Sequence, residues 1–238
     1  NQFFDVEDFV KVYDANGINA PIDCEILHRD SEINEICKSI NENIVTILIG
    51  PSGIGKTRLA LEVCRKQEEK EVKVYCIKSN GNLLYEDIKY YIDEPGKYLL
   101  FFDDANMVTS LDNVLNTILT LPNEYGVKVI ITVRDYARER IIKTVSRYSK
   151  PNIIKIKSFN DDEINDILKN NLGILNKHYL KKITAIANGN VRLAILAGIR
   201  SIDDGYKSIH NAEDIFKNYY GCIIDDVKLT KDDIIMLF

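Results

Sequence analysis

The sequence predicts an α/β fold with a five-stranded, mostly parallel sheet, followed by a small all-α domain. Three observations carry this expectation. Short apolar runs alternate with helical stretches between residues 43 and 158, and strands joined by helices imply crossover connections. One run, residues 43–50 (Asn-Ile-Val-Thr-Ile-Leu-Ile-Gly), is almost continuously apolar and β-branched, the mark of a strand buried on both faces. From Asn160 onward strand signals stop and helical periodicity takes over.

Residues 1–42 begin acidic, with Asp5, Glu7, Asp8 and Asp14 set against Lys11. They read as a short helix, a loop through Pro21 and a helix over about 30–41. After the strand in 43–50 comes a glycine-rich turn at 50–55, then a helix with Leu59, Ala60, Val63 and Cys64 on one face. Residues 72–77 read as a strand and 84–92 as a helix. Residues 98–102 read as a strand ending in Asp103-Asp104, and 108–119 as a helix with Leu111, Val114, Leu115 and Ile118 on one side. A strand at 127–133, a helix at 137–146 and a fifth strand at 153–156 complete the alternation. Asn160 and Glu163 have the spacing of a capping box ahead of Ile164, Ile167 and Leu168. Two more helices follow over about 177–188 and 190–199. The expected organisation is an N-terminal helical segment (1–42), an α/β core (43–158), a helical domain (159–222) and a short final segment (223–238).

Composition excludes several classes. The 238 residues are 45% hydrophobic and 28% charged, which suits a folded chain rather than a disordered one. A net charge of −5 argues against a generally basic nucleic-acid coat. No apolar run approaches the ~20 residues of a membrane span, and no leader precedes Asn1, so the expectation is an excised piece of a longer chain without signal peptide or membrane partner. The five cysteines are odd in number and contain no C-x-x-C, which points to reduced thiols in a cytoplasmic protein. Residues 134–157 reverse the overall charge, carrying Arg134, Arg138, Arg140, Lys143, Arg147, Lys150, Lys155 and Lys157 against only Asp135 and Glu139. A solvated helix face, a docking surface for a neighbouring subunit, an arginine offered to that subunit's nucleotide and contact with nucleic acid all fit this reversal. Nucleic acid is the least favoured, because aromatic residues are limited to Tyr136, Tyr148 and Phe159.

The chemistry gathers at the strand ends. Gly50-Pro51-Ser52-Gly53-Ile54-Gly55-Lys56-Thr57 fits G-x-x-x-x-G-K-[ST] in full. Its glycines let backbone amides turn toward phosphate oxygens, and the helix that follows points its positive end at the anion. Lys56 is placed for the β- and γ-phosphates and the Thr57 hydroxyl for Mg²⁺. The expected cofactors are therefore ATP (or ADP) and Mg²⁺, and Arg58 joins the nucleotide-binding candidates. Asp103 ends a buried strand and suits the metal, while Asp104 stands where an acid would orient the attacking water. A solvated strand-end turn is the plain alternative for this pair. Arg134 ends another strand and is a candidate for the γ-phosphate; the alternative is a surface pair with Asp135.

Together these residues resemble the STAND class of signal-transduction P-loop ATPases, relatives of AAA+ that include NACHT and NB-ARC proteins. Residues 26–32 (Ile-Leu-His-Arg-Asp-Ser-Glu) resemble the family's hydrophobic-Gly-Arg-Glu segment beside the adenine, which implies a nucleotide contact for Arg29; His28 stands where the family has glycine. Thr132-Val133-Arg134 is similar to the sensor 1 strand, whose arginine reads the γ-phosphate. Residues 187–194 resemble the Gly-x-Pro segment, with Val191 in place of the adenine-packing proline. The resemblance implies a sensor-2-like contact for Arg192, with a helix-surface arginine as the alternative. Residues 228–238 look like the start of a winged-helix domain, and the wording of 50–62 and 101–106 is most similar to bacterial antiviral STAND proteins of the Avs kind. The class implies a regulated, slow ATPase that forms homo-oligomers when activated, joined to effector and sensor domains and triggered by an unknown ligand. The alternative function is an AAA+ loader or remodeller acting on nucleic acid; a scaffold that binds nucleotide without hydrolysis is a third.

Overall fold

A computed structural model describes residues 2–15 and 24–203. In chain order the elements are β1 (Phe3–Phe4), α1 (Val6–Asp14), α2 (Asp30–Glu42), β2 (Val45–Ile49), α3 (Lys56–Glu68), β3 (Lys73–Ile77), α4 (Tyr85–Tyr91), β4 (Gly96–Phe102), α5 (Leu111–Leu119), β5 (Tyr125–Val133), α6 (Arg138–Val145), β6 (Asn152–Lys155), α7 (Asp161–Leu172), α8 (Lys177–Ala187) and α9 (Val191–Asp203). They fall into two compact units. The first holds residues 2–13 and 26–157; the second, among the described residues, holds 14–15, 24–25 and 158–203. The loop through Pro21, residues 204–222 and the expected winged-helix start at 223–238 lie outside the described residues.

The first unit is built on a sheet ordered β1-β3-β4-β5-β2-β6. It has six strands rather than the five expected from the sequence. The additional strand is β1, which pairs antiparallel with β3 through Phe3↔Ile77 and Phe4↔Cys76. Two residues cannot display the period-2 alternation by which a strand is read, so only the tertiary fold defines this one. The other strands are parallel, as crossover helices require.

Strand alternation divides the core. Tyr98, Leu100 and Phe102 of β4 and Val129, Ile131 and Val133 of β5 pack with Leu115, Ile118, Ile141 and Val145 of α5 and α6. Leu99 and Phe101 of β4, one residue out of phase, point to the other face, where the Phe101 ring lies 5.9 Å from that of Phe9 in α1. β2 is apolar apart from Thr46, whose hydroxyl meets Ser39 of α2 at 2.6 Å, so its buried oxygen is satisfied. Cys37, Cys64 and Cys76 are free thiols, and Cys64 and Cys76 are buried. Among the described residues no helix is long and apolar enough to cross a membrane.

The second unit stacks Ile164, Ile167 and Leu168 of α7 with Leu180, Ile183 and Ala187 of α8 and Leu193, Ala194 and Ala197 of α9, all buried. α7 begins with the capping box read from the sequence. The Asn160 side chain accepts the Glu163 amide at 2.9 Å, and the Glu163 carboxylate accepts the Asn160 amide at 2.8 Å. Asn160→Ala removes one of these bonds and should cost about 1 kcal/mol of the helical unit's stability, measured as a lower midpoint in chemical denaturation followed by circular dichroism.

Candidate nucleotide-binding site

β2, β4 and β5 are parallel, so residues 50, 103 and 134 leave the sheet along one edge. Ligands of open α/β sheets gather there, outside the carboxyl ends of the strands. Register sharpens the placement. Phe102 pairs with Ile131, which sets Asp103 level with Thr132; Ile49 pairs with Val133, which sets Gly50 level with Arg134.

The loop between β2 and α3 is tightly constrained. Gly50 has φ 149°, and a Cβ there would lie 2.6 Å from Ile54 Cδ1 and 2.7 Å from the Ile156 carbonyl oxygen. No side chain fits. Gly55 takes φ 92° as the residue before α3, a left-handed conformation that costs glycine little. With no side chain to cap the helix, the first amides of α3 are left to the loop. Lys56 arches back so that its ammonium donates to the carbonyls of Gly50 at 2.7 Å and Pro51 at 2.8 Å. Burial pushes this ammonium below its usual range, while the charges of Asp104, Asp135 and Asp103 work in the opposite direction.

The carboxylates form one bonded chain across β4 and β5. Asp103 Oδ1 accepts from the Thr57 hydroxyl at 2.8 Å and from the Thr132 hydroxyl at 2.9 Å. Thr132 Oγ1 in turn accepts the Asp104 amide at 2.9 Å. Asp104 sits at φ 45°, ψ 60° and receives Nε and Nη2 of Arg134 on Oδ2, at 3.2 and 2.8 Å. Arg134 thus bonds the Asp104 carboxylate, a partner that neither sequence alternative named. Burial and the neighbouring Asp104 charge push the Asp103 carboxyl up to about 6, against the pull of the two hydroxyls. Thr57 and Asp103 thus put two hard oxygen donors side by side, the donor chemistry that suits Mg²⁺.

The remaining predicted residues are distributed as follows. Arg29 is 5% exposed and spends its guanidinium on protein acceptors: Nη1 on Glu32, and Nη2 on the carbonyls of Lys157 at 2.8 Å and Ile54 at 3.4 Å. It therefore ties the loop to the segment just after β6. His28, in the family's glycine position, has φ 58°, which explains why a glycine is at home there. Arg58 pairs along α3 with Glu62 at 3.2 Å. Pro51, Ser52, Gly53 and Ile54 lie in the loop, and Val191 and Arg192 open α9 in the second unit. The basic stretch is divided: Arg134 turns to Asp104, Arg147 pairs with Asp112 at 2.9 Å, and Arg138, Lys143, Lys150, Lys155 and Lys157 are exposed. Thr132, which the sequence placed in the sensor-1-like segment without a role of its own, is a site residue through its bonds to Asp103 and the Asp104 amide. Its signal was a hydroxyl inside the apolar run Ile130-Ile131-Thr132-Val133.

This fold is shared with solved P-loop ATPases. A Walker-type ATPase of Pyrococcus abyssi is 14% identical, with 85% of this chain and 75% of that chain covered at a TM-score of 0.63. The Orc1 protein of Aeropyrum pernix in complex with DNA is also 14% identical, with 91% and 70% covered at 0.62. The RuvB Holliday junction branch migration motor of Thermotoga maritima is 16% identical, with 85% and 72% covered at 0.57. No curated protein sequence matches the chain. Residues 28–174 match the family described as Novel STAND NTPase 3, and the chain belongs to that family.

The raised Asp103 carboxyl has a consequence for stability. A carboxyl whose value rises from 3.8 to about 6 on folding stabilises the fold while it is protonated, and that contribution fades as pH climbs through 6. Asp103→Asn keeps an oxygen for both hydroxyls and removes the charge. Its stability advantage over the unaltered chain without nucleotide should shrink by about 1 kcal/mol between pH 7 and pH 5. Urea denaturation at the two pH values measures this, and a difference that stays constant would contradict it.

Proposed function

We propose that the chain is the nucleotide-binding and oligomerisation module of a signalling switch. It binds ATP with Mg²⁺, hydrolyses it slowly, and so controls assembly of a larger antiviral or immune-like effector protein. Membership of a STAND NTPase family supports the nucleotide chemistry. The observation that carries the switch is the ion pair between Asp104 and Arg134, set beside Lys56 and the Thr57–Asp103 pair. The acid suited to orient water and the arginine suited to read a γ-phosphate are bonded to each other. A triphosphate must compete with Asp104 for Arg134, so the arginine has two alternative partners, and nucleotide biases the choice.

In this reading the amides of residues 50–55 cradle the phosphates, and Lys56 moves from its loop carbonyls to the β- and γ-phosphates. Thr57 and Asp103 would hold Mg²⁺, which neutralises phosphate charge when bound. Asp104 orients the attacking water once Arg134 has left it, and this release step is a reason for slow turnover. Nucleotide roles for Arg29, Arg58, Val191 and Arg192, and the oligomeric, effector and sensor partners, rest on the resemblance to STAND proteins.

The test is ligand-dependent unfolding. ATP with Mg²⁺ at ~100 times Kd should stabilise the chain by about 2.7 kcal/mol, and Lys56→Ala should abolish the shift. Equal shifts in both proteins, or none in either, would sink the reading. Asp104→Asn should retain binding but lose phosphate release in a single-turnover assay; unchanged release would remove Asp104 from the mechanism. Light scattering with ATP, and turnover with and without DNA at several salt concentrations, separate an assembling switch from an enzyme that works on nucleic acid.

A further inference from the structure

The end of β3 lies beside the end of β4, on the side away from the phosphate loop. Ile77 pairs with Phe102, so Lys78 stands level with Asp103, and the Asp103 amide donates to the Ile77 carbonyl at 3.1 Å. Ile77 and Phe102 both enter the core that contains α5 and α6. Lys78 and Asp103, one residue further on, therefore leave by the opposite face. Thr57 of α3 meets Asp103 on that side. Lys78 is half-buried, and its positive charge favours the ionised form of Asp103.

A second set of contacts fixes where Lys78 is. Its amide donates to the Gln2 carbonyl at 3.1 Å, and the Asn80 amide donates to Gln2 Oε1 at 3.1 Å. Gln2 is only 2% exposed. The Lys78 ammonium stands 5.4 Å from the centre of the Tyr13 ring in α1, within cation–π range. Phe3 stacks on Tyr91 with centroids 4.7 Å apart and anchors the same segment. The N-terminal segment thus grips the loop after β3 through backbone, amide side chain and aromatic ring at once.

We propose that Lys78 sets the charge of the nucleotide site from the far side of Asp103, and that β1 and α1 hold it there, so that the N-terminal segment tunes the balance between metal and nucleotide binding. This rests on the nucleotide-binding reading of the site. The sign follows from Coulomb's law: an ammonium whose field reaches the carboxylate suited to the metal repels a divalent cation and attracts a polyphosphate. Lys78 acts through Asp103 and through the field of the site, as a positioning residue.

Calorimetry with ATP in EDTA, and with Mg²⁺ at saturating ATP, reads both affinities. Lys78→Met should weaken metal-free ATP and tighten Mg²⁺, each by roughly threefold or more. Loss of packing would weaken both, whereas loss of charge moves them in opposite directions. Lys78→Arg should restore both values. Tyr13→Ala and Gln2→Ala should move them as Lys78→Met does, by smaller factors. If Lys78→Met changes neither affinity, or shifts both the same way, the proposal is overturned. If only Tyr13→Ala and Gln2→Ala are silent, the N-terminal half of it is overturned. Binding that is lost in Lys56→Ala yet indifferent to Lys78→Met removes this proposal alone; no ATP binding by the unaltered chain removes the nucleotide reading with it.

Discussion

A carboxylate buried at the end of an apolar strand is the constraint on which the site depends. Asp103 follows Tyr98-Leu99-Leu100-Phe101-Phe102, all buried, and is itself only 8% exposed. Left alone there, a charge would cost several kcal/mol. It is tolerated because hydroxyls arrive from two other elements, Thr57 at the start of α3 and Thr132 near the end of β5. This requires the β4–β5 register to be held and the phosphate loop to turn α3 back over the sheet. A one-residue slip of β4 would bring Phe102 level with Thr132 and turn the strand's apolar residues to the wrong faces. The long apolar pairing from Tyr98↔Val127 to Phe102↔Ile131 therefore secures the chemistry as well as the core.

Asp104 shows how the same hydroxyl also orders the next residue. A left-handed aspartate is conformationally costly and persists only where its surroundings over-determine it. Here its amide is bonded to Thr132 and its carboxylate to Arg134. The strain is held on one side by a neutral bond inside the sheet and on the other by an ion pair at the rim, where Asp104 is 31% exposed. The rim bond is the weaker constraint, because water and an incoming anion both reach it.

Much of this was legible in the sequence because it is written in short-range signals. The G-x-x-x-x-G-K-[ST] spacing, the apolar run ending in Asp103-Asp104 and the Asn160–Glu163 capping box each announce an element through neighbours in the chain. What escaped depends on residues far apart. Thr132 matters because register brings it to Asp103, 29 positions away, and no local periodicity encodes that. The bond from Arg29 to the Lys157 carbonyl, just past β6, spans 128 positions and likewise has no local signal; it leaves the adenine-side reading of Arg29 as it was. The strand count differed for the same reason, since Phe3 and Phe4 become a strand only when β3 is there to pair with them.

That small strand has a role out of proportion to its length. Without it β3 would be the edge of a parallel sheet, with a row of unpaired amides and carbonyls facing outward. β1 covers the Cys76–Ile77 end of that row, the end nearest the site, and Gln2 extends the cover to Lys78 and Asn80. Edge protection and site organisation thereby become one set of contacts. A segment that only shielded the edge would have no need of a buried glutamine side chain reaching past the strand. A segment that only touched the site would have no need of Phe3 stacked on Tyr91 in the core. Because both are present, displacing β1 would expose the edge and release the loop beside Asp103 together.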